Sequence, residues 1–260
     1  MSITCYGTRV GIRASDPGAL PALLDRLPPG WQAKPMRTVD RLYSFVVGGR
    51  EGGIRRLNVL YGNAELLARS RGLDEALETF AADVQLHVAE RAARRVFVHA
   101  GVVGWGGRAI VLPGRSFSGK TTLVLELVRA GATYYSDDYA VFDARGRVHP
   151  FPRQLSIREN GAHAQERHPV EALGGVAGEL PLPVGLVAVT EYDARVAGWR
   201  PRRLSAGHGV LELLGHAPAA RRKPEAALAT FERVTGTALV LKGRRGEAKR
   251  VAASILERAS

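Results

Sequence analysis

Lys120 and the two adjacent carboxylates Asp137 and Asp138 are the residues whose types and spacing could do chemistry. Lys120 stands in Gly114-Arg115-Ser116-Phe117-Ser118-Gly119-Lys120-Thr121-Thr122, the G-x-x-x-x-G-K-T spacing of a Walker A loop. Glycines let such a loop fold back so that successive backbone N–H groups face one anion, and the following helix adds its N-terminal partial charge. Lys120 would reach the outer phosphates of a bound nucleotide and the Thr121 hydroxyl would hold Mg²⁺. All nine residues, 114 to 122, are therefore expected to contact the nucleotide. Phosphoryl transfer also needs a carboxylate to take the nucleophile's proton. One Asp of the pair can supply it while the other holds the metal or its water shell. His99, in a polar step His99-Ala100-Gly101, could hydrogen-bond the carboxylate and tune it. ATP and Mg²⁺ are the expected cofactors.

The flanks suit this chemistry. Residues 108–113 read as a buried strand and 123–130 as a helix stopped by Gly131, the order a phosphate loop requires. The spacing predicts one strand over 133–142 carrying both carboxylates. Neighbours in a strand face opposite sides, so one would point into the cleft and the other behind it. Residues 96–103 read as a further strand, 184–189 and 238–241 as two more. Ser205, Pro224 and the stripe Ala248, Val251, Ala252, Ile255 and Leu256 mark three later helices. Residues 158–180 show no sustained periodicity and read as an active-site loop or a surface excursion. His163 and His168 flank Glu166 at a spacing unlike a zinc helix motif.

Upstream, residues 1–90 read as a separate α+β lobe. It holds a strand over 3–12, a helix over 17–27 with Asp16 as N-cap and Pro17 at its first position, and a hairpin of 42–47 with 54–61 around a glycine-rich tip. An amphipathic helix over 73–94, with Leu73, Leu77, Phe80, Val84 and Val88 on one stripe, would join that lobe to a nucleotide-binding core over 91–260. His87 beside the stripe reads as structural or surface.

Composition is that of a globular protein: 45% hydrophobic and 24% charged. No apolar run reaches the roughly 18 residues of a membrane span, and the N-terminus lacks the pattern of a secretory signal. The single cysteine, Cys5, fits a reducing cytoplasm. The net charge of +12 favours anionic partners, ATP included. Aromatic residues do not interleave with the arginine clusters, so nucleic acid is expected to bind only by nonspecific charge attraction. A homo-oligomer is compatible with all of this.

The set His99-Ala100-Gly101, Gly114 to Thr122, Arg129-Ala130-Gly131 and Ser136-Asp137-Asp138 resembles the catalytic domain of HPr kinase/phosphorylase and its HPr-kinase-like relatives. The resemblance covers about residues 95–158 and is faint from Pro181 onward. It implies a P-loop kinase core of the HPr kinase/phosphoenolpyruvate carboxykinase type within an α/β fold, preceded by the α+β lobe. It also implies that Asp138 accepts the proton of a serine-type hydroxyl, with His99 and Lys120 assisting and Thr121 on Mg²⁺ beside Asp137. The expected activity is transfer of the γ-phosphate of ATP to a hydroxyl, a serine of a protein or peptide first, a small-molecule hydroxyl second. A nucleotide-dependent binding or regulatory protein with little catalysis is the alternative. The family's Leu-Glu-x-Arg-Gly signature, which supplies a third metal carboxylate, is replaced by Leu155-Ser156-Ile157-Arg158-Glu159, and its later phosphorylase loop is absent. Arg153 and Arg158 are candidates for gripping nucleotide or acceptor. The acceptor, and ATP against GTP or pyrophosphate, stay open.

Overall fold

A computed structural model describes residues 1–51, 54–115, 118–157 and 166–260. Ser116 and Phe117 of the loop, the hairpin tip at Gly52 and Gly53, and Arg158, Glu159 and His163 lie outside the described residues, as does the Glu166 side chain. The chain divides into two compact units, Met1–Arg94 and Arg95–Ser260. Among the described residues no helix is long and apolar enough to cross a membrane.

The first unit contains β1 (Ser2–Cys5), β2 (Thr8–Ala14), α1 (Leu20–Leu24), β3 (Gln32–Ala33), β4 (Arg41–Val46), β5 (Arg50–Glu51), β6 (Ile54–Arg55), β7 (Asn58–Gly62), β8 (Glu65–Ser70) and α2 (Leu73–Arg91). Its main sheet runs β3-β1-β2-β4-β7-β8, with β2 and β4 parallel and the other neighbours antiparallel. The single strand expected over 3–12 is two strands. Tyr6 (φ 49°) and Gly7 (φ 85°) both take positive φ, the requirement of a two-residue hairpin turn whose twist matches its strands. The helix expected over 17–27 is shorter, because its first residues, Pro17–Ala19, make a 3₁₀ turn and α1 ends at Leu24. Asp16 caps that turn by accepting from the Gly18 N–H at 2.8 Å. The edge strand β8 was not expected. Its residues are mostly exposed, so no buried alternation announces it. Helix α2 lies wholly in this unit rather than joining two. Leu77, Phe80, Val84 and Val88 are buried, with Phe80 edge-on to Tyr43 at 5.0 Å, while Leu73 is exposed.

The second unit contains β9 (Val96–Trp105), β10 (Arg108–Pro113), α3 (Lys120–Arg129), β11 (Thr133–Ser136), β12 (Tyr139–Phe142), β13 (Arg147–His149), β14 (Leu155–Ile157), β15 (Glu166–His168), β16 (Leu182–Tyr192), β17 (Arg202–Arg203), α4 (Ala206–Leu214), α5 (Pro224–Thr237), β18 (Leu239–Arg245) and α6 (Ala248–Glu257). The unit is mixed α/β. Strand β10 pairs antiparallel with β9 and parallel with β16, which pairs parallel with β18. Because β9 also pairs with β12, β12 with β13 and β13 with the start of β16, the pairings close a circuit. One face packs Val98, Val111, Phe142 and Val187 against Phe231 and Leu213 of α5 and α4. The other packs Ile110, Leu112 and Leu186 against Leu123 and Leu127 of α3 and Val251 and Ile255 of α6. Each face removes enough apolar area from water to fix the layer order.

Candidate functional site

The loop sits where a layered α/β fold places a ligand, beyond the carboxyl end of the parallel strand β10. Gly119 is the N-cap of α3 with φ 78°, a left-handed conformation that side chains resist. A Cβ on Gly119 would lie 2.9 Å from Arg245 Nη2, and one on Gly114 2.9 Å from Ser118 Oγ. The cradle is therefore one that side chains would fill. Lys120 is 9% exposed. Its ammonium donates to the carbonyls of Gly114 at 3.0 Å and Arg115 at 2.6 Å. Burial holds its pKa below the ordinary lysine value, while the charges of Asp138 and Asp137 oppose that shift.

The two carboxylates do not lie within a strand. β11 and β12 both pair with β9, Ser136 opposite Val102 and Tyr139 opposite His99, and Asp137-Asp138 form the bend between them. The Ser136 Oγ makes the bend, accepting from the N–H groups of Asp138 at 3.2 Å and Tyr139 at 3.0 Å. A break of this kind re-aims side chains. Instead of facing opposite sides of a sheet, both carboxylates come within electrostatic reach of Lys120. Asp137 Oδ2 accepts from the Thr121 hydroxyl at 2.9 Å, and its Oδ1 lies 3.0 Å from the Tyr134 hydroxyl. Burial raises its pKa, against the two hydroxyl bonds.

Asp138 is more open. Its Oδ2 accepts from Arg153 Nη1 at 2.9 Å and its Oδ1 lies 3.4 Å from His99 Nδ1. The shorter contact of that imidazole, 2.8 Å, is to the Asp138 backbone carbonyl. A carbonyl only accepts, so Nδ1 carries the hydrogen. Burial lowers the His99 pKa, which keeps the ring neutral, and the ring stacks on Tyr139 at 5.0 Å. Arg153, a candidate grip from the sequence, thus touches the carboxylate itself. Tyr134 and His216 are additional residues here. Tyr134 bridges Asp137 and the Arg153 carbonyl, 3.0 Å from each. His216 accepts the His99 N–H through its carbonyl, and burial lowers its pKa. Neither stands out in sequence, Tyr134 being one aromatic among several in a run of strand formers.

On the other flank of the loop, a cavity of about 1150 Å³ opens at the carboxyl ends of β16 and β18. Ser118, Gly119 and Thr122 line it together with Tyr192 and Arg245. The Arg245 guanidinium donates to the Gly119 carbonyl at 3.1 Å and the Gly246 carbonyl at 3.0 Å, and lies 5.5 Å from the Tyr192 ring centre. Burial lowers its pKa, with the charges of Glu247 and Tyr192 opposing.

The structure thus brings Gly114, Arg115, Ser118, Gly119, Lys120, Thr121, Thr122, Asp137, Asp138 and His99 into one neighbourhood. Among the described residues, no group of three His, Cys, Asp or Glu side chains converges on a metal position. Thr121 and Asp137 offer a hydroxyl and a buried carboxylate 2.9 Å apart, hard oxygen donors of the kind Mg²⁺ takes alongside phosphate oxygens and water. Compared with models of known protein families and with curated proteins, the chain matches none of them.

Proposed function

We propose that this chain is an ATP- and Mg²⁺-dependent kinase of the HPr-kinase-like type, acting on a hydroxyl, with a serine of a protein or peptide as the first candidate. The observation that carries the reading is the bend at Asp137-Asp138. It sets one buried carboxylate on the Thr121 hydroxyl and leaves the other, less buried, within reach of Lys120. Thr121 and Asp137 would hold Mg²⁺, which when bound neutralises phosphate charge. Lys120 would trade its loop carbonyls for phosphate oxygens. The acceptor oxygen bonds to the γ-phosphorus as the bond from that phosphorus to the bridging oxygen of ADP breaks, and the hydroxyl proton passes to Asp138. His99, neutral and fixed by the Asp138 carbonyl, orients that residue. The phosphoenolpyruvate carboxykinase relationship and the α/β core go with this reading.

A second reading is a nucleotide-dependent regulatory protein with little catalysis. The Arg153–Asp138 ion pair at 2.9 Å favours it, since Arg153 occupies an oxygen of the carboxylate that would take the proton. Incubation with γ-labelled ATP and a lysate of the source organism separates the two. A kinase labels at least one hydroxyl-bearing acceptor, and Lys120→Ala abolishes the label. A protein that binds ATP yet labels nothing above the Lys120→Ala background is the regulator.

A further inference from the structure

The loop has two ends, and the chemistry above uses one. The charges of Asp137 and Asp138 act on Lys120 and Asp137 holds the Thr121 hydroxyl, whereas Ser118, Gly119 and Thr122, with Gly114 and Arg115, line the cavity. A polyphosphate whose last phosphate lies at Lys120 would carry the rest of its length toward the cavity: Glu191 and Glu247 line it, but Arg115, Arg200, Arg202, Lys242, Arg244 and Arg245 outnumber them.

Arg245 stands in that wall. It is 3% exposed, and among the described residues no carboxylate forms an ion pair with it. Its two terminal nitrogens reach only backbone carbonyls, and its Nε has no acceptor. A cation removed from water without a direct ionic partner is costly, and the Glu247 charge, the carbonyl dipoles and one aromatic face offset only part of that cost. The cations at the rim divide in two. Lys242 is paired with Glu212 at 2.5 Å and Arg244 with Asp193 at 3.4 Å, whereas the Arg115, Arg200 and Arg202 side chains have no such partner among the described residues. Among the described residues of this rim, the arginine that is both buried and outside any ion pair is also the one bonded to the loop.

We infer that Arg245 anchors a second anion subsite of this loop, taking the phosphate of a nucleoside di- or triphosphate that lies inward of the terminal one. The inference rests on the nucleotide reading of the loop and adds to it the group that holds the donor's inner phosphate. The Gly119 carbonyl fixes the guanidinium at the cradle, and the incoming anion supplies a direct ionic partner.

Titration calorimetry on the full chain, with MgATP and with inorganic tripolyphosphate, tests this alongside ligand-free melting curves for Arg245→Gln and Arg245→Lys. Arg245→Gln is expected to bind both ligands about 10- to 100-fold more weakly, the range for losing a charged hydrogen bond. Its ligand-free melting temperature should stay at or above the parent's, because a buried charge with no direct ionic partner has gone. Arg245→Gln binding both ligands as tightly as the parent overturns the subsite, whatever its melting temperature. If affinity and melting temperature fall together, Arg245→Lys decides. Recovery of at least tenfold in affinity over the glutamine variant supports the subsite, and no recovery reduces Arg245 to a clamp on the loop. ATP binding more tightly than tripolyphosphate places the nucleoside in the cavity as well, while equal affinity assigns recognition to the phosphates alone. A folded parent that binds neither ligand refutes the nucleotide reading itself, a distinct failure.

Discussion

Replacing Asp138 with Asn separates proton acceptance from everything else this residue does. The amide keeps an oxygen to accept from Arg153 Nη1, now 2.9 Å away, and keeps the backbone carbonyl that His99 Nδ1 contacts at 2.8 Å. What it removes is the negative charge and the ability to take a proton. The ion pair is partly open to water, with side chains 21% and 25% exposed, so its loss costs stability about 1 kcal/mol or less. Loss of a general base costs about 10²- to 10⁴-fold in rate, or about 3 to 5 kcal/mol of barrier. The chemical effect therefore exceeds the structural one several-fold. ATP affinity should hold or rise, because one of the two carboxylates repelling the triphosphate beside Lys120 has been neutralised. Single-turnover transfer from γ-labelled ATP, with ATP affinity measured in parallel, reads both quantities. A variant that transfers phosphate within about threefold of the parent refutes the base assignment. One that loses ATP binding in step with transfer would show that Asp138 supports the loop rather than the reaction.

Three further outcomes are expected. Thr121→Ala removes the hydroxyl on Asp137 Oδ2 and should raise the Mg²⁺ concentration needed for half-maximal nucleotide binding by about tenfold; an unchanged Mg²⁺ titration would move the metal elsewhere. Gly119→Ala forces a side chain into φ 78° and 2.9 Å from Arg245 Nη2, costing about 1 to 2 kcal/mol, so calorimetry should show a melting temperature lower by several degrees and weakened ATP binding. In the first unit, burial and the charges of Arg91 and Arg41 lower the His87 pKa from 6.5 to about 4, with Asp83 and Asp40 opposing. The unfolded chain then binds more protons between those values, so stability is full above pH 6.5 and falls by up to about 3 kcal/mol as pH drops toward 4. His87→Leu should flatten that slope in denaturant titrations across this window.

What could be read from the residues follows the range of the forces involved. Local signals were enough for the strand, glycine-rich loop and helix at 108–129, because the left-handed turn at Gly119 is a backbone need that a few neighbours decide. They were also enough for the N-cap at Ser205, whose Oγ accepts from the His208 N–H at 3.3 Å. The bend at Asp137-Asp138 was hidden. Thr133 to Phe142 is a continuous run of strand formers, and only the Ser136 hydroxyl turned onto its own backbone interrupts it. The reach of Arg245 to Gly119 joins residues far apart in the chain, so no window of local pattern contains it, and the Arg153–Asp138 pair spans the prolines at 150 and 152, where local periodicity breaks. The first hairpin fails for a related reason: Tyr6 is a strand former that here occupies a positive-φ turn position.

The step at His99-Ala100 in β9 explains why the loop and the carboxylates can act together. The His99 carbonyl accepts from the Gly114 N–H at 3.1 Å, tying β9 to the first residue of the phosphate loop. Its N–H donates to the His216 carbonyl just after α4 at 2.8 Å, and the next N–H, of Ala100, donates to the Asp138 carbonyl at 3.0 Å. Two consecutive residues of one buried strand thus locate the loop, the bend and the end of α4 through backbone bonds alone. Backbone bonds in a packed sheet leave little freedom, so the spacing between the loop and Asp138 is set by the fold rather than by the functional side chains. On the proposed function, that division would let the side chains of Lys120, Thr121 and Asp138 change partners when an anion arrives while the frame that aligns them stays in place.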